Sequence, residues 1–188
     1  VLPKPEAEVT LALRGLGDAQ AVAALSAALG SPYEVSGAAH LPGQGTFLRI
    51  EGFAGSVRYR FGELARLLQG FGAAEEVPSP WAAIRDVVPL AAVAGDLWRL
   101  SVKPSEAPDI VARMGAEAVI YDWGGGLIWV AGDDPNLIAT CRQFCTFHGG
   151  HCTALKGGAP MFQPQSYDAL TAKLRAQFDP RGIFNQGL

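Results

Sequence analysis

Ala118-Val119-Ile120-Tyr121-Asp122-Trp123-Gly124-Gly125-Gly126-Leu127-Ile128-Trp129-Val130-Ala131 is the stretch whose reading decides the fold. Two short runs rich in β-branched and aromatic residues flank three glycines, the pattern of two strands joined by a tight turn. Upstream, Leu97 to Lys103 alternates, with Leu97, Arg99 and Ser101 on one face and Trp98, Leu100 and Val102 on the other. Between these strands Pro104-Ser105 opens a helix that ends near Met114-Gly115, where glycine supplies a left-handed cap. Downstream, Asp133-Asp134-Pro135 caps a helix running to about Phe147, since Asp suits a helix N-terminus and Pro its first turn. His151 to Leu155 is the closing strand. The order is strand, helix, strand, strand, helix, strand.

The first part of the chain follows the same order. Glu8 to Arg14 alternates as a strand, and Asp18 is the expected N-cap of a helix through Leu29 with Val22, Leu25 and Leu29 inward. Tyr33 to Leu41 and Thr46 to Phe53 form a strand pair around Pro42-Gly43. Gly55-Ser56 opens a second helix with Tyr59, Leu64, Leu67 and Leu68 inward, and Ala73 to Val77 makes a short strand. The expected fold class is therefore α+β, built as two ferredoxin-like βαββαβ units, a duplication, plus a C-terminal helix and tail. One such unit leaves a bare sheet face opposite its helices, so two units must cover it side by side or face to face. The expected boundaries are 1–77 for the first half, 78–96 for a linker with a short helix at Trp81 to Val88, and 97–156 for the second half. Residues 157–188 hold the last helix, about Ser166 to Phe178, and the tail.

A chain of 188 residues with 49% hydrophobic residues and a formal net charge of −3 has enough apolar material for its own core. It has no Lys/Arg cluster, which argues against nucleic acid. Its apolar runs are broken well before the roughly 20 residues of a membrane helix, so no membrane span is expected. Cys141, Cys145 and Cys152 are odd in number and close together, a poor disulfide framework suited to a reducing compartment. With His148 and His151 they suggest a metal set, but Cys141, Cys145 and His148 fall at i, i+4, i+7, the inner stripe of a helix, and the expectation is core packing with no metal. Trp81, Trp98, Trp123 and Trp129 read as core or interface anchors. Gly124-Gly125-Gly126 lacks the strand–turn–helix setting of a phosphate loop.

The C-terminal Phe178-Asp179-Pro180-Arg181-Gly182-Ile183-Phe184-Asn185-Gln186-Gly187 is the most distinctive stretch. It resembles the ending of the FAD-linked oxidases of the vanillyl-alcohol oxidase type, in which this segment tucks against the flavin. Leu2-Pro3-Lys4-Pro5-Glu6, Gly30 to Pro42, the Asp122 to Trp129 hairpin and Gly149-Gly150-His151-Cys152-Thr153-Ala154-Leu155 are similar to segments of the FAD-binding (E) subunit of glycolate oxidase. The resemblance implies the C-terminal substrate, or cap, domain of a flavin-dependent 2-hydroxy-acid oxidoreductase subunit, inactive as an isolated fragment. The N-terminal FAD-binding domain would precede Val1, where Val1 to Pro5 reads as a linker.

That resemblance also implies FAD in the full-length protein and a small 2-hydroxy acid as substrate. It implies a sister flavoprotein and an iron–sulfur subunit as partners, in the cytoplasm or peripheral at the inner membrane through the complex. Asn185 would meet the polar edge of the flavin, its amide being both donor and acceptor. His151 would take the substrate hydroxyl proton as general base, although the glutamate that precedes such a histidine in related dehydrogenases is Gly150 here. Lys156, with Arg99 and Lys103 as further candidates, would hold the substrate carboxylate. In two places this chain departs from the pattern: Gln186 stands where the family has proline, and Lys156 where it often has arginine, which keeps a charge but loses a bidentate fork. The alternative is a non-catalytic ligand-binding or subunit-assembly module.

Overall fold

The computed structural model describes residues 4–134, 136–157 and 168–184, apart from the side chains of Ile138, His148 and Asp168. The first half contains β1 (Ala7–Leu13), α1 (Asp18–Leu29), β2 (Gly37–Leu41), β3 (Gly45–Gly52), α2 (Ala54–Leu67) and β4 (Glu75–Val77). After α3 (Trp81–Arg85), the second half contains β5 (Asp96–Ser101), α4 (Ala107–Ala112), β6 (Ala118–Asp122), β7 (Leu127–Gly132), α5 (Leu137–His148) and β8 (His151–Lys156), and α6 (Asp168–Phe178) follows. All eight strands join one antiparallel sheet in the order β4-β1-β3-β2-β6-β7-β5-β8. The second strand of each half meets its counterpart at the middle.

Several local expectations are corrected. Gly17, not Asp18, is the N-cap of α1, and its N–H is held by Gln20 Oε1 at 3.4 Å. Residues 33–36 lie outside β2 because the Arg60 guanidinium takes the carbonyls of Tyr33 and Glu34, leaving them unavailable to a ladder. On α2 the inward residues are Val57, Arg60 and Leu64, while Tyr59 and Leu67 are exposed. Helix α5 begins at Leu137 with Asn136 as its cap, because the Asp134 carboxylate accepts the Asn136 N–H at 2.8 Å and closes a turn before the helix.

The alternation divides the sheet cleanly. One face sends Leu11, Leu13, Leu48 and Ile50 against α1 and α2. On the same side Trp98, Leu100, Ile128 and Val130 pack on α4 and α5. The opposite face of the sheet carries Ala12, Ala39, Leu41, Phe47, Ile120 and Ala131, and residues 78–96 cross it, inserting Trp81, Ile84 and Leu90. Trp81 fixes that crossing by donating from Nε1 to Thr10 Oγ1 at 2.9 Å, both groups being buried. Gly37 makes room, since a Cβ there would sit 3.1 Å from the Trp81 ring.

The two halves meet through one bridge, His40 opposite Tyr121. Side chains reinforce it: Tyr121 Oη donates to Asp18 Oδ2 at 2.6 Å, and His40 Nδ1 lies 2.9 Å from Thr46 Oγ1. His40 Nε2 is 3.4 Å from Asp18 Oδ1, too long for a full-strength bond. Burial pushes the His40 imidazolium below its ordinary pKa, outweighing the Asp18 carboxylate that favours it. Burial and Asp18 together push the Tyr121 hydroxyl up.

A histidine with a depressed folded pKa lets the unfolded chain bind its proton first as pH falls. Its contribution is complete above the ordinary value of 6.5 and is lost as pH drops through the folded pKa. In urea titrations between about pH 7 and about pH 5 the wild type should lose more stability than His40→Gln. Parallel profiles would show that His40 does not titrate with unfolding. Tyr121→Phe should cost about 0.5–1.5 kcal/mol in the same assay by removing its bond to Asp18.

Candidate functional site

The sheet face opposite α1, α2, α4 and α5 is not wholly covered by residues 78–96. Beside α3 a groove of about 800 Å³ remains, spanning both halves. Strand alternation supplies its floor: Gly37 and Arg49 from the first half, and Arg99, Asp122, Leu127 and Trp129 from the second. Trp81 and Ile84 of α3 form one wall and Trp123 stands at the other.

The two arginines differ in what they have left to give. Arg49 donates from Nε to Ser36 Oγ at 3.2 Å and from Nη2 to the Ser36 carbonyl at 3.1 Å. It also pairs with Glu51 at 3.1 Å and lies over the Trp81 ring. Arg99 is half-buried, and among the described residues no carboxylate pairs with it. Its guanidinium lies 5.5 Å from the Trp123 ring centroid. A half-buried cation with unused donors beside an aromatic face is suited to an anion. Asp122 borders the same space. Burial pushes its carboxyl up, opposed by the Trp123 N–H that it accepts at 2.8 Å and by the charge of Arg49.

Of the two roles the sequence offers Trp123, core or interface anchor, its exposure rules out the core. It is 63% exposed and holds φ +50°, a left-handed conformation that bulky residues rarely adopt. Gly124 and Gly125 continue with φ of +68° and +97°, forming a 3₁₀ turn between the paired strands β6 and β7. The reason is the approach of α1: a Cβ on Gly124 would lie 2.4 Å from Leu29 Cδ1, and one on Gly125 3.2 Å from Val22. These glycines serve helix packing and leave no cradle for phosphate. Trp129 is half-buried on the groove floor, and Trp98 is fully buried on the helix side.

The candidates read from sequence are spread out. His151 is exposed at the start of β8, and its side chain makes no hydrogen bond to any described residue. It pairs with Ser101 on the face that carries Arg99, about 7 Å from Arg99 along the strand direction. Lys156 is exposed at the other end of β8, opposite Leu97, roughly 16 Å along the strand from His151. Lys156 borders a separate hollow of about 140 Å³ with Asp86 and Asp96. Lys103 is engaged by Glu106 at 3.4 Å. Asn185 lies outside the described residues. Just before it, Asp179 accepts the N–H groups of Ile183 and Phe184 at 2.9 Å each, which holds its carboxyl below the usual range. Residues 179–184 thus form an aspartate-centred turn.

Cys141, Cys145 and Cys152 are buried among apolar side chains, with Cys141 Sγ 3.8 Å from Met114 Sδ. The contact with Cys141, opposed by the one with Cys145 and helped by burial, pushes Cys152 up to about 12, and its bond to Cys152 together with burial raises Cys145 further. Thiols held protonated in this way are inert core material. His151 points to the other side of the sheet from Cys152 and cannot join them. Arg49, Asp122 and the exposed position of Trp123 were not singled out in the sequence. Alternation in β3 and β6 carried the signal for the first two.

No family model and no curated protein matches the chain. Among solved structures, its fold is similar to that of an alkyldihydroxyacetonephosphate synthase, with a TM-score of 0.55 and 12% sequence identity over 95% of this chain. The chain spans 44% of that protein's length. At this identity the likeness establishes the fold alone.

The strand entrance at Gly150 gives a sharp test of the geometry. A Cβ there would lie 2.3 Å from the Ser101 carbonyl oxygen, so the glutamate that precedes the histidine in related dehydrogenases has no room in this backbone. Gly150→Ala should lower unfolding free energy by about 1–3 kcal/mol, because β8 must move off β5. A urea midpoint equal to that of the wild type would contradict this close approach.

Proposed function

We propose that this chain is the C-terminal substrate, or cap, domain of a flavin-dependent 2-hydroxy-acid oxidoreductase subunit of the glycolate-oxidase type. Its two halves are duplicated ferredoxin-like units, divided near residues 77 and 97, and it has no activity alone. The observation that carries the reading is a fold likeness over 95% of the chain to an alkyldihydroxyacetonephosphate synthase. It is joined to a C-terminal turn that sequence resemblance assigns to the FAD-linked oxidases.

In this reading the C-terminal tail meets the flavin: the Asp179 turn precedes Asn185 in the chain, and the Asn185 amide would complement the polar edge of the flavin ring. The glycines of the 123–125 turn are occupied by α1 and offer the pyrophosphate no cradle; in this reading a separate FAD-binding domain holds it. When bound, FAD supplies the acceptor for the two electrons that leave the substrate carbon as hydride. The chain itself contributes His151 to accept the hydroxyl proton and a cation to hold the carboxylate. In this reading the subunit works beside a sister flavoprotein and an iron–sulfur subunit, in the cytoplasm or at the inner membrane surface. Among the described residues no helix is long and apolar enough to cross a membrane.

A non-catalytic assembly module is the second reading. Leu170, Leu174 and Phe178, spaced along one side of α6, are exposed and favour it.

The protein encoded by the complete gene is expected to carry FAD, seen by its absorbance, and to reduce a dye with a 2-hydroxy acid, whereas residues 1–188 alone do neither. A complete protein devoid of flavin and inert to 2-hydroxy acids would leave the assembly reading. Within the complete protein, Asn185→Ala should weaken FAD retention by about 1–3 kcal/mol, read as flavin lost on gel filtration. Equal retention and an unshifted flavin spectrum would reduce Asn185 to a turn residue.

A further inference from the structure

We propose that Arg99 and Trp123 form the carboxylate-recognition pair of the open-face groove, and that the acid it takes carries a bulky apolar or aromatic side chain. Calling that ligand a 2-hydroxy acid rests on the functional reading above. The site itself rests on the groove.

Three observations converge. Arg99 is the groove cation with donors to spare, since Arg49 is committed to Ser36 and Glu51 and Arg85 to Asp86. Arg99 is also nearer than Lys156 to His151 and on the same sheet face, although His151 stands outside the groove lining. Lys156 stands at the far end of β8 beside another hollow and cannot serve the same small molecule.

Trp123 adds the second argument. A large aromatic side chain that is 63% exposed and held at φ +50° carries two unfavourable features at once. Left-handed backbone at a non-glycine residue costs on the order of 1 kcal/mol or more and tends to persist where a site needs it. Gly124 and Gly125 satisfy the packing of α1, so that packing does not require tryptophan at position 123. What tryptophan provides there is a flat face against the Arg99 guanidinium, which orients the fork toward the groove.

The remaining walls set the size of the ligand. Trp81 and Trp129 face the space with Leu29, Val35 and Leu127. Glycolate has no side chain to meet any of them. A phenyl or branched aliphatic group would cover the apolar wall, and burying such a group contributes about 1.5–3 kcal/mol, or roughly ten- to a hundredfold in affinity.

The test uses the chain itself, with binding read by tryptophan fluorescence and calorimetry. The probes are 3-phenyllactate, glycolate and 2-phenylethanol, which lacks the carboxylate. Phenyllactate should bind about tenfold or more tighter than either of the others. Arg99→Gln should weaken phenyllactate by about tenfold or more, Arg99→Lys by less, and the remote Arg58→Gln not at all. Trp123→Gly should weaken binding while holding or raising the melting temperature, because glycine tolerates the left-handed backbone. A ring that is merely structural would instead lower the melting temperature. Absence of phenyllactate binding, equal affinity for glycolate, or indifference to both Arg99 variants would overturn the proposal. Flavin content of the complete protein decides the functional reading separately. A flavoprotein that fails these binding tests loses only this inference, and a groove that passes in a protein without flavin loses only the flavin.

Discussion

A single backbone bridge, His40 opposite Tyr121, converts two four-stranded arrays into one eight-stranded sheet, and the groove exists only because that sheet is continuous. Its floor takes Gly37 and Arg49 from one half and Asp122, Leu127, Trp129 and Arg99 from the other. One bridge is a weak joint by itself, so side chains reinforce it. Tyr121 reaches across to Asp18 at the start of α1, and His40 is locked against Thr46. Helix α1 is the second clasp. It packs on the first-half core through Leu25 and Ala28, yet Val22 belongs to the core of the second half. Leu29 and Val22 press on Gly124 and Gly125 beyond the seam.

That clasp shapes the groove wall. Because α1 comes so close, residues 124 and 125 must be glycine, and the chain reaches them through a tight left-handed turn that starts at Trp123. The tryptophan is thereby lifted away from the core and set over Arg99. Packing on one face of the sheet thus determines which side chain is displayed on the other. On the same principle, residues 78–96 cover part of the open face through Trp81, Ile84 and Leu90, and the part they leave uncovered is the groove.

Charge on the open face follows a division of labour. Arg49, Asp122 and Glu51 belong to a network tied to backbone groups and to one another, which holds the floor rigid. Arg99 stands outside that network. Rigid neighbours with one uncommitted cation are the arrangement expected of a recognition site, since fixed donors lose little freedom when an anion arrives. The thiols illustrate the contrast. Cys141, Cys145 and Cys152 form a chemically distinctive cluster, yet they satisfy each other in the core on the far side of the sheet from His151.

By itself the sequence determined the mixed α and β class, the order of strands and helices in each half, the linking role of residues 78–96 and the alternation that sorts Leu97, Arg99 and Ser101 from Trp98, Leu100 and Val102. These follow from periodicity, which is local, and from glycine and proline at turns. Arg99 was legible as a candidate for the same reason, being an alternating polar residue in an apolar strand. Only the tertiary structure decided that the halves lie edge to edge, that Arg49 is used up and Arg99 is not, and that Lys156 and His151 stand at opposite ends of β8. It also decided that Trp123 is displayed instead of buried. Each of these depends on partners far away in sequence: Ser36 against Arg49, α1 against the glycine turn, and Asp18 against Tyr121. No window along the chain contains both members of such a pair, and the choice between them is made by packing.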